Sequence, residues 1–485
     1  MERDTRIALA VIAAVTLFRI VTVGLSPAGL HGDEAQYWAW SRELAAGYYS
    51  KPPLIAWVIA GTTALFGDAE WAVRLASPLL HGGAAVSSLL AARRLFGPRA
   101  GLWAALIYLL MPGVTLSSAI ISTDALLLFW VAMTVWLWAR LRDGAGWGSA
   151  VGLGAAVGFG LLSKYAMLFV LPALVFAALL ERKTRAALLN ARGAVALATA
   201  LVVVSPNILW NLRNDFATVG HTQDNANLDD GAGLHPGEWL EFFGGQFGVF
   251  GPVTFALLLV ALLWVSRPRG IKRWLGAAVL VPLVVISVQA LLSRANANWA
   301  AAAYGVAPVL LAGWAVEARW RVRALAVGIA LNAVLAVVPP IVLLSPALTD
   351  RLGFANSVKR QRGWPDTVRV IEEELTRGNY ASVAVDQRLM FYALDYYGLD
   401  GAPLTIWRFE PEVSNHAELT RALPEGSRDV LLASYFFESY EPYFAADFDR
   451  LEPVRIETVE LGGGKVRRVG LYRASGYNGP RARPD

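Results

Sequence analysis

The sequence predicts an all-α membrane bundle of about eleven transmembrane helices, followed by a small C-terminal α/β domain. Of the 485 residues, 56% are hydrophobic and only 17% are charged, whereas a soluble protein has roughly 25% charged residues. The apolar residues form runs of about 17 to 22, which is the length that crosses the hydrocarbon core as a helix. After residue 344 the charges become frequent and the apolar runs shorten.

The apolar runs define the predicted membrane part, residues 1–345. The first run follows a charged start and has no small-residue cleavage site after it, so we expect a retained helix. The predicted spans are residues 7–24, 71–92, 102–120, 125–139, 148–163, 165–181, 193–210, 245–265, 274–292, 300–316 and 324–344.

The distribution of Lys and Arg orients these spans. With the N-terminus in the cytoplasm, the inner loops hold eighteen Lys and Arg and the outer loops hold six. Positive charge accumulates in cytoplasmic loops, so the C-terminal domain is predicted on the opposite side. This distribution accounts for the net charge of +5, and no nucleic-acid partner is predicted. The chain has no cysteine and therefore no disulfide.

Two outer segments are long. The first, residues 25–70, ends in an apolar stretch at 54–66 that is too short to span and is expected to lie along the membrane interface. The second, residues 211–243, is rich in Asn, Asp and Gly, and a long segment without a regular period is typical of a functional or disordered loop.

The C-terminal domain, residues 346–485, alternates short helical and strand patterns. Helical spacing occurs at 367–376 and in the amphipathic stretch 389–397. Short β-like runs occur at 381–385, 404–407, 430–433 and 454–459. The tail after residue 475 is predicted to be disordered because it is rich in Gly, Pro and Arg.

Ionisable residues in apolar surroundings mark functional sites in membrane proteins, and here they collect on the predicted outer face. Transfer of a sugar from a lipid phosphate needs a carboxylate base, cations for the phosphate and a site at the interface. The alternative to a functional role is a structural one, in which the residue caps a helix, lies in a solvated loop or anchors the chain at the membrane interface. The candidates are Asp33, Glu34, Lys51, Asp124, Lys164, His221 and Arg294.

Two segments of the first outer loop carry a family resemblance. Residues 31–38 (HGDEAQYW) and 47–54 (GYYSKPPL) resemble the first periplasmic loop of the polyprenyl-phosphate-sugar-dependent glycosyltransferases, which have the C-type glycosyltransferase fold. That family includes lipid A aminoarabinose transferases and protein O-mannosyltransferases. Residues 122–124 (STD) and 297–300 (ANWA) extend the resemblance, which covers about residues 1–345.

The resemblance implies roles for individual residues. Asp33 matches the catalytic base, with Glu34 as a further catalytic candidate, and Asp124 matches the second acidic residue. Lys51 matches the lysine that contacts the donor phosphate, and Lys164 and Arg294 are the other phosphate-binding candidates. The predicted substrate-binding residues are Tyr37, Tyr48, Tyr49, His221 and Asn298.

Two positions depart from the aminoarabinose branch. Ser50 stands where that branch has a glutamate that binds a metal, so no metal ligand is predicted here. No cofactor is required, and a divalent metal is left open. Gln36 stands where that branch has an arginine, which leaves the identity of the sugar open.

The expected function is an inverting glycosyltransferase in the bacterial inner membrane. It would act as a monomer in the bilayer, moving a sugar from a polyprenyl-phosphate donor to a lipid, glycan or protein acceptor at the periplasmic face. A transporter or flippase of lipid-linked sugars is the alternative, and a scaffold that binds a partner is a third reading. Transporters tend to have internal repeats and ionisable residues in mid-span, and this sequence shows neither.

Overall fold

The computed structural model describes residues 2–224, 233–265 and 270–483. Part of the predicted outer loop 211–243, residues 225–232, lies outside the described residues. Two arginines of a predicted inner loop, Arg267 and Arg269, do so as well.

The regular elements of the described membrane part are all helices. Short 3-10 helices at Tyr165–Val170 and Ala297–Ala300 interrupt the α-helices. The α-helices are α1 (Arg3–Gly24), α2 (Gly32–Arg42), α3 (Leu54–Phe66), α4 (Glu70–Arg74), α5 (Ala76–Phe96), α6 (Pro98–Leu109), α7 (Pro112–Ser118), α8 (Thr123–Arg142), α9 (Trp147–Ser163), α10 (Leu171–Leu180), α11 (Arg182–Leu188), α12 (Ala191–Arg213), α13 (Ala217–Asp224), α14 (Pro236–Phe250), α15 (Pro252–Val265), α16 (Ile271–Leu292), α17 (Ala302–Ala315) and α18 (Arg319–Leu343).

The helices identify a multi-pass membrane protein. Among the described residues, six helices are long and apolar enough to cross a bilayer, or nine if each of three sharply bent helix pairs is one span. The shorter apolar helices α9 and α17 coincide with two further predicted spans. The apolar stretch 54–66 forms a helix of its own, α3, as predicted.

Burial distinguishes the centre of the bundle from its periphery. All 14 residues of α17 are buried, and a helix that is apolar on every side belongs in the core. By contrast, only 22% of an 18-residue apolar stretch is buried in α1, and the same share is buried in α12. A continuous exposed apolar surface of this kind is unfavourable in water and suits contact with lipid.

The C-terminal domain contains one mixed sheet flanked by helices. The elements are α19 (Pro346–Arg351), α20 (Ala355–Val358), α21 (Trp364–Arg377), β1 (Ser382–Val385), α22 (Arg388–Tyr397), β2 (Leu404–Ile406), α23 (His416–Arg421), β3 (Val430–Ser434), α24 (Phe437–Asp447), β4 (Phe448–Gly462) and β5 (Lys465–Tyr477), with a 3-10 turn at Lys359–Gln361. The strand order in the sheet is β2-β1-β3-β5-β4. The strand β1 pairs in parallel with β2 and β3, while β5 is antiparallel to β3 and β4.

The prediction of disorder after residue 475 is wrong for the described residues. Strand β5 continues to Tyr477, and the chain beyond it packs against the domain. Arg483 donates to the buried carboxylate of Asp447 and lies over the rings of Phe409 and Tyr443. An ion pair and ring stacking therefore hold a segment whose composition alone suggests disorder.

The C-terminal domain packs directly on the first outer loop. Leu30 and Ala35 of that loop share a hydrophobic core with Ile371 and Met390 of the domain. The loop and the domain approach closely at Gly32, where an added Cβ would lie 2.6 Å from the Cβ of Leu389. Only a glycine permits this contact, which brings the start of α22 to the start of α2.

Candidate active site

The predicted Asp-Glu pair occupies the first turn of α2. His31 is the N-cap: its ring accepts from the backbone N of Asp33 at 3.3 Å, and its own backbone N donates to Glu34 at 2.9 Å. This reciprocal capping satisfies helix N–H groups that would otherwise lack partners. Acidic residues are also stabilised at a helix N-terminus by the helix dipole.

The two acids have different surroundings, and Glu34 is 1% exposed. Its carboxylate receives two hydrogen bonds from Arg74, at 2.8 and 2.7 Å, and one from the backbone N of Ile121 at 3.0 Å. Arg74 also donates to the carbonyls of Ala28 and Gly29. The catalytic prediction for Glu34 does not fit this burial, because its carboxylate is already fully engaged by protein groups.

The side chain of Asp33 is 45% exposed and open to a ligand. Its Oδ1 lies 3.2 Å from Nη1 of Arg388, and the same nitrogen donates to Gln36. Sequence reasoning missed Arg388, which lies 355 residues away. The one available signal was its position directly after the predicted strand at 381–385, since the carboxyl ends of parallel strands often carry site residues.

A second polar group forms around Asp124. Its Oδ1 lies 2.7 Å from Nζ of Lys164, and its Oδ2 accepts from Nδ2 of Asn298 at 2.7 Å. These three residues come from the start of α8, the end of α9 and the turn before α17. The structure therefore brings together three candidates that lie far apart in the sequence.

Lys51 connects the two groups electrostatically. Burial lowers its pKa, and the neighbouring charge of Lys164 lowers it further, while Asp33 and Asp124 raise it. Lys51 thus lies within electrostatic range of both carboxylates. Since the shift favours the neutral amine, a bound anion would stabilise the ammonium form of Lys51 by placing a negative charge beside it.

The tyrosines of the loop divide into two kinds. Tyr48 is 1% exposed and stacks on Trp40 with ring centroids 4.5 Å apart, while its hydroxyl donates to the carbonyl of Trp40. The predicted substrate contact does not fit Tyr48, because protein atoms surround its ring. Tyr37 is also buried, and burial together with the charge of Asp33 raises its pKa.

Tyr49 and His221 are further from the carboxylates. The Tyr49 hydroxyl donates to the carbonyl of Val413 at 2.6 Å, and its ring centroid lies 5.5 Å from that of His221. Arg294 is exposed in the segment between α16 and Ala297–Ala300. The described contacts place neither His221 nor Arg294 against Asp33 or Asp124.

The donor set does not fit a metal site. In the part of the chain that the structure describes, no group of three or more His, Cys, Asp or Glu side chains is placed to hold a metal ion. Ser50, which follows Tyr49 in the sequence, offers a hydroxyl rather than a carboxylate. A structural or catalytic Zn²⁺ site ordinarily needs at least three such protein ligands.

Comparison with known proteins identifies relatives of the chain. A family model described as dolichyl-phosphate-mannose-protein mannosyltransferase matches residues 50–210. Lipid A galacturonosyltransferase RgtD of Rhizobium johnstonii is 36% identical over 415 residues, which are 84% of this chain and 85% of that protein.

A second relative matches a shorter region. The undecaprenyl phosphate-alpha-4-amino-4-deoxy-L-arabinose arabinosyl transferase 1 of Pseudomonas fluorescens is 32% identical over 205 residues, 38% of this chain and 37% of that protein. The chain therefore matches little more than a third of this relative's length.

The fold likeness extends over nearly the whole molecule. The crystal structure of ArnT from Cupriavidus metallidurans bound to undecaprenyl phosphate superimposes with a TM-score of 0.65 at 18% identity. The match covers 97% of this chain and 99% of that one, so it includes the soluble domain as well as the bundle. The resemblance in the first outer loop is thus confirmed by a close relative and by the fold. The chain belongs to the polyprenyl-phosphate-sugar-dependent glycosyltransferases and has their C-type fold.

Proposed function

We propose that this enzyme transfers a uronosyl group of the galacturonosyl type from a polyprenyl phosphate to a lipid A acceptor. The observation that carries the proposal is the set of two carboxylates and three cations, contributed by Asp33, Asp124, Lys51, Lys164 and Arg388, at one site. The 36% identity to a lipid A galacturonosyltransferase supports the choice of sugar and acceptor. The relatives described above are transferases, so the transporter alternative has no support from them.

The proposed reaction is a single inverting displacement. The acceptor oxygen attacks the anomeric carbon of the sugar while the bond from that carbon to the phosphate oxygen breaks. Asp33 takes the proton of the acceptor hydroxyl, which is the role of a general base. The electron pair of the broken bond stays with the phosphate, and polyprenyl phosphate leaves.

The cations stabilise the negative charge that develops on the leaving group. A sugar phosphodiester carries one negative charge, and the departing phosphate monoester gains a second. Placed cations stabilise such developing charge more than the ground state. We assign this role to Lys51 and Lys164. Asp124 holds Lys164 in position by accepting its hydrogen bond at 2.7 Å, and Asn298 in turn donates to Asp124 at 2.7 Å.

We further propose the complete topology. The six long helices, the three bent pairs and the short helices α9 and α17 together correspond to the eleven spans predicted from the sequence. With the N-terminus in the cytoplasm of a bacterial inner membrane, the site and the C-terminal domain face the periplasm. Helix α3 would then lie at the interface beside the lipid tail of the donor.

A transfer assay tests the function. The purified protein in lipid nanodiscs is offered lipid A with galacturonosyl, galactosyl or 4-aminoarabinosyl undecaprenyl phosphate, and products are identified by mass spectrometry. We expect uronosyl transfer to dominate and to persist in excess EDTA, because we propose a reaction without a metal. Transfer of the 4-aminoarabinosyl group alone would refute the choice of sugar, and loss of activity in EDTA would refute the metal-free reaction.

Lys51 gives a prediction that depends on pH. Because its pKa is lowered in the free enzyme, the ammonium form that binds phosphate is lost at a lower pH than for an ordinary lysine. We expect kcat/KM for the donor to fall on this alkaline limb. In Lys51→Arg the guanidinium stays protonated, so the limb should move to higher pH.

Lys51→Ala should raise the donor Kd by about 10- to 100-fold at neutral pH, the range for losing a charged hydrogen bond. The matched control is Lys465→Ala, which removes an exposed lysine at the start of β5. An alkaline limb that stays in place in Lys51→Arg, or an unchanged Kd in Lys51→Ala, would remove Lys51 from the phosphate site.

A further inference from the structure

The soluble domain contributes a cation to the reacting centre. Arg388 is the first residue of α22 and follows β1 after a two-residue turn. The approach of Leu389 to Gly32 fixes the start of this helix against α2. Nη1 of Arg388 therefore reaches Asp33 at 3.2 Å and also donates to Gln36.

The remaining guanidinium edge is available for a ligand. Both contacts use Nη1, and within residues 2–224, 233–265 and 270–483 neither Nη2 nor Nε of Arg388 donates to a protein acceptor. The side chain of Arg388 is 36% exposed, next to an Asp33 that is 45% exposed. The edge formed by Nε and Nη2 matches a carboxylate through two parallel hydrogen bonds.

The free edge of Arg388 offers a position for an anionic group of the substrate, besides the phosphate site assigned to the two lysines. Lys164 affects the pKa of Lys51 more strongly than Arg388 does, and Arg388 instead contacts Asp33. A neutral hexosyl phosphate has one anionic group, its phosphate, and leaves this edge unused. A uronosyl phosphate also carries a carboxylate on the sugar ring.

We propose that Arg388 binds the carboxylate of the transferred uronosyl group through its Nε–Nη2 edge and selects donors that carry one. This inference rests on the proposed function, and it makes Arg388 the residue that determines sugar specificity. Its anchoring by Asp33 and Gln36 places the sugar next to the base, so recognition and orientation of the donor use the same side chain.

Paired donors test the inference with Arg388→Gln. Galacturonosyl and galactosyl undecaprenyl phosphate differ only at C6 of the sugar, which is a carboxylate in the first and a hydroxymethyl group in the second. We expect Arg388→Gln to lower kcat/KM for the galacturonosyl donor by about 100-fold, mainly through KM, as for a lost charge-assisted pair. Loss of the contact with Asp33 affects both donors, but the galactosyl donor has no carboxylate to lose, so the ratio of kcat/KM between the galacturonosyl and galactosyl donors should fall by about 10-fold or more. Arg388→Lys should recover part of the uronosyl activity.

Arg421→Gln is the matched control. Arg421 is another arginine of the soluble domain that bridges to the first loop, at 3.3 Å from Glu43. We expect the same ratio between the two donors as in the wild type. An equal loss for both donors in Arg388→Gln would overturn the inference and leave Arg388 a partner of Asp33 alone. If Arg421→Gln also lowers kcat/KM selectively for the galacturonosyl donor, the selectivity arises from docking of the soluble domain, and the inference is overturned. If the wild type transfers galactosyl but no galacturonosyl groups, the proposed function itself fails.

Discussion

Replacement of Asp33 by Asn is expected to lower the rate of sugar transfer by about 10² to 10⁴, the usual contribution of a positioned general base. The amide keeps the size of the side chain and can still contact Arg388, but it takes no proton from the acceptor. Asp33 is 45% exposed and has no buried partner to lose, so folding should be unaffected. The loss should appear in kcat.

Donor binding separates this result from a general defect. Asp33 lies within electrostatic range of Lys51, and its negative charge also repels a phosphate. Asp33→Asn should therefore bind the donor as tightly as the wild type or more tightly, as measured by calorimetry in nanodiscs. Asp366→Asn, at an exposed carboxylate on α21, is the control. An Asp33→Asn enzyme that retains more than a third of the wild-type rate would exclude Asp33 as the base.

Local pattern was sufficient for the helices and for part of the sheet. The apolar run at 54–66 and the amphipathic run at 389–397 became α3 and α22 almost residue for residue. Strand β5 was missed because Lys465–Tyr477 contains four Lys and Arg and two glycines. Its pairing with both β3 and β4, rather than its own composition, makes this segment a strand.

The site was predictable where one segment carried it and not where distant segments meet. Asp33 and Lys51 lie 18 positions apart in one loop with a family pattern. The contact of Arg388 with Asp33 depends on how the soluble domain docks, and no local periodicity encodes that contact. For the same reason, the sequence did not predict the ion pair of Glu34 with Arg74, which is 40 residues away. The neighbours Asp33 and Glu34 look equivalent in the sequence, and only burial distinguishes them.

Removal of the Glu34 charge should have the largest effect on stability. Glu34→Gln leaves the guanidinium of Arg74 buried without a counter-charge, because both side chains are almost fully enclosed. Removing one partner of a buried ion pair costs about 3 to 5 kcal/mol. The thermal unfolding midpoint in detergent should fall clearly below that of the wild type. In the same loop, Glu43→Gln alters a carboxylate that is 70% exposed, and an exposed ion pair contributes about 1 kcal/mol or less.

A double variant distinguishes a structural role of Glu34 from a catalytic one. In Glu34→Gln with Arg74→Met, no buried charge remains uncompensated, so much of the stability should return. Transfer should return only in part, because the amide of Gln has a single acceptor oxygen, whereas Glu34 accepts from the backbone N of His31 on one oxygen and from that of Ile121 on the other. The bond from Ile121, three residues before Asp124, ties the turn carrying Asp124 to the helix carrying Asp33. A Glu34→Gln protein with wild-type stability but a transfer rate reduced 100-fold would instead make Glu34 a catalytic residue, because the carboxylate would then matter to the reaction and not to the fold.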